Sequence, residues 1–130
     1  MNRGKTTPRM EDYLEAIYVM ILNGEKPGVR ALARRLMVKP SSVLEYLRKL
    51  DSEGYIEYRK GGRIRLTEKG LKIAQQIYQR HRIISRFLQK LGVPKEIAEI
   101  DACYVEHGIH RETLEKIIEF LKKYNGYDEE

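Results

Sequence analysis

The sequence predicts a mainly α-helical protein carrying one short β-hairpin near its middle. Apolar residues recur at helical spacing through most of the chain, Gly and Pro clusters interrupt them, and one brief stretch around Gly61-Gly62 alternates with period two. With 130 residues and 42% apolar content, the chain can build a core, but a thin one unless copies associate. No run of eighteen apolar residues exists, which excludes a transmembrane helix. The stretch Met1 to Pro8 lacks the apolar segment of a signal peptide, so a cytoplasmic location is expected. The single cysteine, Cys103, cannot form an internal disulfide and leaves a thiol available for chemistry.

Each element has its own signature. Thr7 as N-cap, Pro8 at the first helical position and the acids Glu11 and Asp12 start a first helix, and Leu14, Ile17, Tyr18 and Ile21 line it. Asn23-Gly24 and Pro27-Gly28 end it. A second, short helix runs from Val29 to Leu36 and buries Leu32 and Leu36. After the tight connection Met37-Val38-Lys39, Pro40 opens a third helix reaching about Leu50, with Val43, Leu44, Leu47 and Leu50 inward. Its other face offers Ser41, Ser42, Glu45, Tyr46 and Lys49. Gly54 stops it. Two strands follow, Ile56 and Tyr58 on one face of the first, Ile64 and Leu66 on one face of the second, joined by Gly61-Gly62 at positive backbone angles.

Thr67 caps a long fourth helix to about Leu91, with Leu71, Ala74, Ile77, Tyr78, His81, Ile84, Leu88 and Leu91 as one stripe. A fifth helix runs from Pro94 to about His107, and a sixth from His110 or Arg111 carries Leu114, Ile117, Ile118, Leu121 and Tyr124. The acidic end Asp128-Glu129-Glu130 is expected to fray. Helix, helix-turn-helix and basic hairpin, in that order, spell an N-terminal winged helix-turn-helix, followed by an α-helical region.

The charge is concentrated. Between Val29 and Arg65 lie ten basic residues against four acids, a surplus of six that equals the whole chain's net charge of +6. Such a patch points to a polyanion, nucleic acid first, although charge alone fits a solvated basic surface equally well. In a helix-turn-helix the second helix enters the major groove and offers its N-terminal side chains to base edges. Here those are Pro40, Ser41 and Ser42 behind Lys39, with Tyr46 and Lys49 further along. Arg59, Lys60 and Arg63 at the hairpin tip reach the backbone or the minor groove, and Arg30 and Arg34 clamp phosphates. Double-stranded DNA is the expected partner, its binding steeply salt-dependent. The base sequence read does not follow.

Cys103, Glu106 and His107 stand at i, i+3 and i+4 of the fifth helix, so thiol, carboxylate and imidazole converge on one face. Thiolate and imidazole suit borderline transition metals. His81 interrupts an apolar stripe, either as a core histidine bonded to a carbonyl or as a group facing the fifth helix. Asp12 and Glu15, at i and i+3, read equally well as first-turn acids favoured by the helix dipole.

At these residues the chain resembles the diphtheria toxin repressor and manganese transport regulator family. The resemblance rests on the runs Thr6–Tyr18, Lys39–Val43, Arg80-His81-Arg82 and Cys103-Tyr104-Val105-Glu106-His107, and it covers nearly the whole chain. It implies a metal-activated repressor working as a homodimer. Residues 1–67 are then the DNA-binding domain and 68–130 the metal-binding and dimerisation domain, in the short architecture of the manganese regulators. The implied metal residues are Asp12, Glu15, His81, Cys103, Glu106 and His107. The set is a hybrid: Cys103 stands where manganese regulators carry glutamate, and Asp12 stands where iron-type members carry methionine. Ser85 replaces the glutamate of the iron-type second site. A thiolate favours Fe(II), Co(II) or Zn(II) over Mn(II), so Fe(II) is expected first, Mn(II) next, with Zn(II) or Co(II) compatible.

The expected switch is geometric. An ion shared by Asp12, Glu15 and the ligands of the helical region fixes each reading head against the dimer core, and DNA requires two heads about 34–36 Å apart on a near-palindromic operator. No membrane partner, small-molecule substrate or enzymatic activity is expected. The competing readings are a metal-independent winged-helix regulator and a redox sensor acting through Cys103.

Overall fold

A computed structural model describes residues 7–124, apart from the side chain of Lys60. The chain divides into two compact units, Met1–Gln75 and Gln76–Glu130.

The first unit begins with α1 (Pro8–Leu22). Thr7 Oγ1 accepts from the Met10 amide at 3.2 Å, satisfying one of the free donors of the first turn, while Pro8 has none to lose. Gly24, at φ 77°, turns the chain away. Helix α2 (Val29–Leu36) ends with Met37 in the left-handed region, φ 59° and ψ 48°. The Val38 amide bonds Ala33 O at 3.0 Å and the Met37 amide bonds Arg34 O at 3.3 Å, a Schellman closure in which methionine occupies the place glycine usually takes. Helix α3 (Pro40–Ser52) follows with Pro40 at its first position.

The hairpin pairs β1 (Ile56–Arg59) with β2 (Arg63–Leu66) in antiparallel register, Ile56 opposite Leu66 and Tyr58 opposite Ile64. Period-two patterning therefore places those four side chains on one face. Gly61 and Gly62, both at φ 84°, make the tip. The core gathers Leu14, Ile17, Leu32, Val43, Leu47, Leu50 and Ile56, all essentially without solvent exposure. Ala74 joins them from α4 (Glu68–Lys90), the helix that runs from the first unit into the second.

Thr67 starts α4: its Oγ1 accepts from the Gly70 amide at 3.1 Å and lies 2.7 Å from Gly54 O and 3.0 Å from Tyr55 O. Gly70 is required by close approach, since a Cβ there would stand 2.0 Å from Tyr55 O.

The second unit comprises the rest of α4, α5 (Lys95–Val105) and α6 (Arg111–Lys123). Its buried apolar residues are Ile77, Ile83, Ile84, Ala98, Ala102 and Leu121. Phe87 meets Phe120 edge-on at 5.5 Å, and Phe120 in turn meets Tyr124 at 4.6 Å.

Several sequence expectations need correction. Ile21, Leu71, Leu91 and Tyr124 were placed on inner stripes but are exposed. Leu91 follows the last residue of α4 and stands in the turn that Gly92 makes at φ 108°, so helical periodicity no longer governs it. Helix α5 stops at Val105 rather than His107, and Glu106 keeps helical angles as its cap, φ −59° and ψ −26°. The acidic end, Asp128 to Glu130, lies outside the described residues. Among the described residues no helix is long and apolar enough to cross a membrane.

Candidate metal centre and nucleic-acid interface

In the second unit α4 carries His81 inward, where only 9% of the residue meets solvent. Both ring nitrogens are engaged by carboxylates: Nδ1 lies 2.9 Å from Glu106 Oε1, and Nε2 lies 2.9 Å from Glu99 Oε1. The Cys103 sulfur stands 3.8 Å from Nδ1. Ser85 Oγ donates to Glu99 Oε2 at 2.6 Å and accepts from Gln89 Nε2 at 3.1 Å. Arg80 Nη1 donates to the Glu106 carbonyl at 2.9 Å, holding the end of α5.

Hydrogen bonds to Cys103 and Glu106 outweigh the burial that opposes charge, and with Glu99 they push the His81 imidazole up to about 11. Burial pushes Glu99 up, but hydrogen bonds from Ser85 and His81, together with the charges of His81 and Lys95, hold its carboxyl below the usual range. His81 is thus an imidazolium between two carboxylates.

Glu106 is fully buried, and its second oxygen, Oε2, accepts no hydrogen bond from the described residues. His107 Nε2 stands 3.5 Å from that oxygen. A buried carboxylate oxygen without a donor is costly and calls for a cation. Carboxylate, imidazole and thiol together form a donor set that fits a divalent transition metal. Cys103, Glu106 and His107 come together as their spacing predicts, and of the two readings open for His81 the structure has it facing the fifth helix. Asp12, exposed, and Glu15, half-buried, share α1 in the first unit.

Sequence reasoning missed Glu99, although a signal was available: Glu99 and Cys103 on α5 and its cap Glu106, which keeps helical angles, stand at i, i+4 and i+7 on one helical face. Ser85, read as a lost ligand position, instead orients Glu99.

In the first unit the basic residues largely face solvent. Arg30 and Arg34 on α2, Lys39, Ser41, Ser42 and Lys49 on or before α3, and Arg59 and Arg63 on the hairpin are all exposed, as is Pro40. Lys60's side chain lies outside the described part of the structure. Glu57 stands 3.6 Å from Arg59 and 3.9 Å from Arg65, partly offsetting the hairpin's charge. Tyr46 departs from the expected exposed face: it is half-buried, its ring stacked on buried Tyr13 at 4.6 Å with 26° between planes. The stack pulls the ring toward α1, a contact that helical spacing on α3 does not report.

Two family models match the chain: iron dependent repressor, N-terminal DNA binding domain, over residues 5–63, and iron dependent repressor, metal binding and dimerisation domain, over residues 67–126. The HTH-type transcriptional regulator MntR of Lysinibacillus sphaericus is 36% identical over 116 residues, 89% of this chain and 84% of that protein. Among solved structures, T. acidophilum IdeR is similar with TM-score 0.80 and 30% identity over 93% of this chain and 56% of that one. The manganese regulator SloR is similar with TM-score 0.77 and 30% identity over 90% of this chain and 55% of that one. The chain thus spans about half the length of these solved relatives.

Proposed function

Because the chain belongs to the iron dependent repressor family, we propose that it is a metal-dependent, DNA-binding transcriptional repressor that controls metal-ion homeostasis. The observation that carries the metal half of this reading is the buried Glu106 oxygen without a donor, set beside His107, His81 and Cys103. The DNA half rests on the exposed cations and hydroxyls of α2, α3 and the hairpin and on the N-terminal family match.

The proposed ligands are His81, Cys103, Glu106 and His107 with Asp12 and Glu15, the last two supported by the resemblance in sequence. A divalent cation, when bound, supplies the positive charge that these acids and the thiolate share. To ligate it, His81 would release the proton of one ring nitrogen and keep the other, Cys103 would bind as thiolate, and Arg80 would hold the Glu106 backbone steady. If the ion were shared with Asp12 and Glu15, as the resemblance in sequence implies, it would restrain the reading head before DNA arrives, and DNA would meet a competent state. Coupling on the order of 1–3 kcal/mol, five- to 150-fold in affinity, is usual for such a device.

The similarity to the manganese regulator SloR weighs toward Mn(II), whereas a thiolate ligand at Cys103 weighs toward Fe(II), Co(II) or Zn(II). We place Fe(II) first and Mn(II) next. The partner is double-stranded DNA bearing a near-palindromic site, read by a homodimer in the cytoplasm. Ile97, Ile100 and Tyr104, at i, i+3 and i+7 of α5, stay exposed and give a dimer an apolar face.

The test is an anaerobic DNA-binding titration with Mn(II), Fe(II), Co(II) and Zn(II). Wild type is expected to bind DNA at least fivefold more tightly with its ion than with chelator. Asp12→Ala/Glu106→Gln, checked for native helix content by circular dichroism, is expected to lose that difference. Equal affinity with and without ions would overturn the switch, and an unaltered response in the double variant would overturn the ligand assignment.

A further inference from the structure

We propose that Arg9 and Lys49, set around the ring of Tyr46, form a phosphate clamp that carries the DNA backbone contact out of the helix-turn-helix and onto the first turn of α1. This rests on the repressor reading and adds to it a residue, Arg9, that lies outside every group so far assigned to DNA.

Three observations within the first unit converge. The Arg9 guanidinium stands 5.9 Å from the Tyr46 ring centroid and the Lys49 ammonium 5.4 Å from it, so cations from α1 and α3 meet at one side chain. Both cations are exposed to solvent. Tyr46 is immobilised from beneath by its stack on Tyr13. Its hydroxyl is therefore offered at a defined place rather than on a swinging ring.

The three groups line an open groove of about 760 Å³ together with Ser42, from the first turn of the reading helix. A planar guanidinium, an ammonium and a phenol form the donor set of a phosphodiester: a bidentate fork, a point charge and a neutral donor. A phosphate seated here lies beside Ser42, so the contact sets the register in which α3 meets base edges. Asp12 and Glu45 line the same groove and oppose an anion. Asp12 is also a proposed metal ligand, so cation binding there removes one of the two opposing charges.

Salt dependence of DNA affinity tests the clamp, with the full-length protein loaded with Mn(II) or Fe(II) and a short mixed-sequence duplex as probe. Arg9→Gln is expected to lower the magnitude of the slope of log K against log salt by about 0.9, the share of one phosphate contact, and Lys49→Gln by a similar amount. Arg9→Lys keeps the slope but binds more weakly, because the fork is lost. Glu45→Gln strengthens binding. Metal affinity measured by calorimetry without DNA stays at the wild-type value in Arg9→Gln.

A slope and affinity unchanged in Arg9→Gln, with wild type binding DNA normally, would overturn the clamp alone. Absence of DNA binding by loaded wild type would overturn the repressor reading as well. Millimolar inorganic phosphate that competes no better than chloride at equal ionic strength supports a duplex backbone as occupant. Preferential competition by free phosphate would overturn that assignment.

Discussion

The two units of this chain use their interiors in opposite ways. The first closes over large aliphatic side chains, Leu14, Ile17, Leu32, Leu47, Leu50 and Ile56, and turns its basic residues to solvent. The second buries two alanines, Ala98 and Ala102, beside a few isoleucines and one leucine, and sets His81, Ser85 and Glu106 inside with them. It leaves Leu91, Ile97, Ile100, Tyr104 and Tyr124 exposed. Apolar burial dominates the first unit, which buries one carboxylate, Glu11, whereas the second depends more heavily on protons, ions and whatever covers its apolar face. One unit is built to keep its shape while it reads, the other to respond.

The largest effect that sharpens this contrast is expected in the first unit. Leu47→Ala removes a fully buried side chain and is expected to cost about 2–5 kcal/mol, read as a lowered urea midpoint. Added metal should leave that local loss in place. A cost under about 1 kcal/mol would show that the reading head is not the tightly packed unit described.

The second unit is expected to respond to pH. His81 is raised from an ordinary value of 6.5 to about 11 in the folded protein. Its contribution to stability is therefore fully present below pH 6.5 and is lost as pH rises through about 11. In metal-free protein this single group lowers stability by at most about 1.4 kcal/mol per pH unit across that window. Glu99, lowered by its partners, works the opposite way: its contribution is lost as pH falls through its folded value. Chemical denaturation between neutral and alkaline pH, with His81→Gln as the flattened reference, checks the sign. Metal affinity moves the other way, rising about tenfold per pH unit for each proton released. A wild type whose stability rises from neutral to alkaline pH would contradict the imidazolium assignment.

The smallest effect concerns Met37, which is 89% exposed in the left-handed region. Met37→Gly is expected to gain about 1 kcal/mol, because the strain of a side chain at positive φ exceeds the added freedom of glycine when unfolded. A melting temperature raised by a few degrees would register it; a lowered one would mean that the methionine side chain makes contacts worth more than the strain.

Most of the fold was legible in order of locality. Thr7-Pro8 and Thr67 announced helix starts, Gly61-Gly62 announced the hairpin tip, and α2 runs over the residues that periodicity marked. In each case the signal and the structure it specifies lie within a few residues, where backbone angles and capping hydrogen bonds decide. The helical face shared by Cys103 and Glu106 was legible for the same reason.

What the chain's order of residues settled alone was therefore the set of elements, the concentration of positive charge on the reading head, and a ligand-like cluster on α5. Folding in three dimensions decided the rest. It set Glu99 and Glu106 on the two nitrogens of His81, left one oxygen of Glu106 buried without a donor, and leaned Tyr46 onto Tyr13 beneath two cations. Apart from the local pair Tyr46 and Lys49, these contacts join residues 18 to 37 positions apart. Helical periodicity reports only which face a residue occupies. Which residue of another element meets that face depends on how packing side chains position the two elements, and no local spacing encodes it.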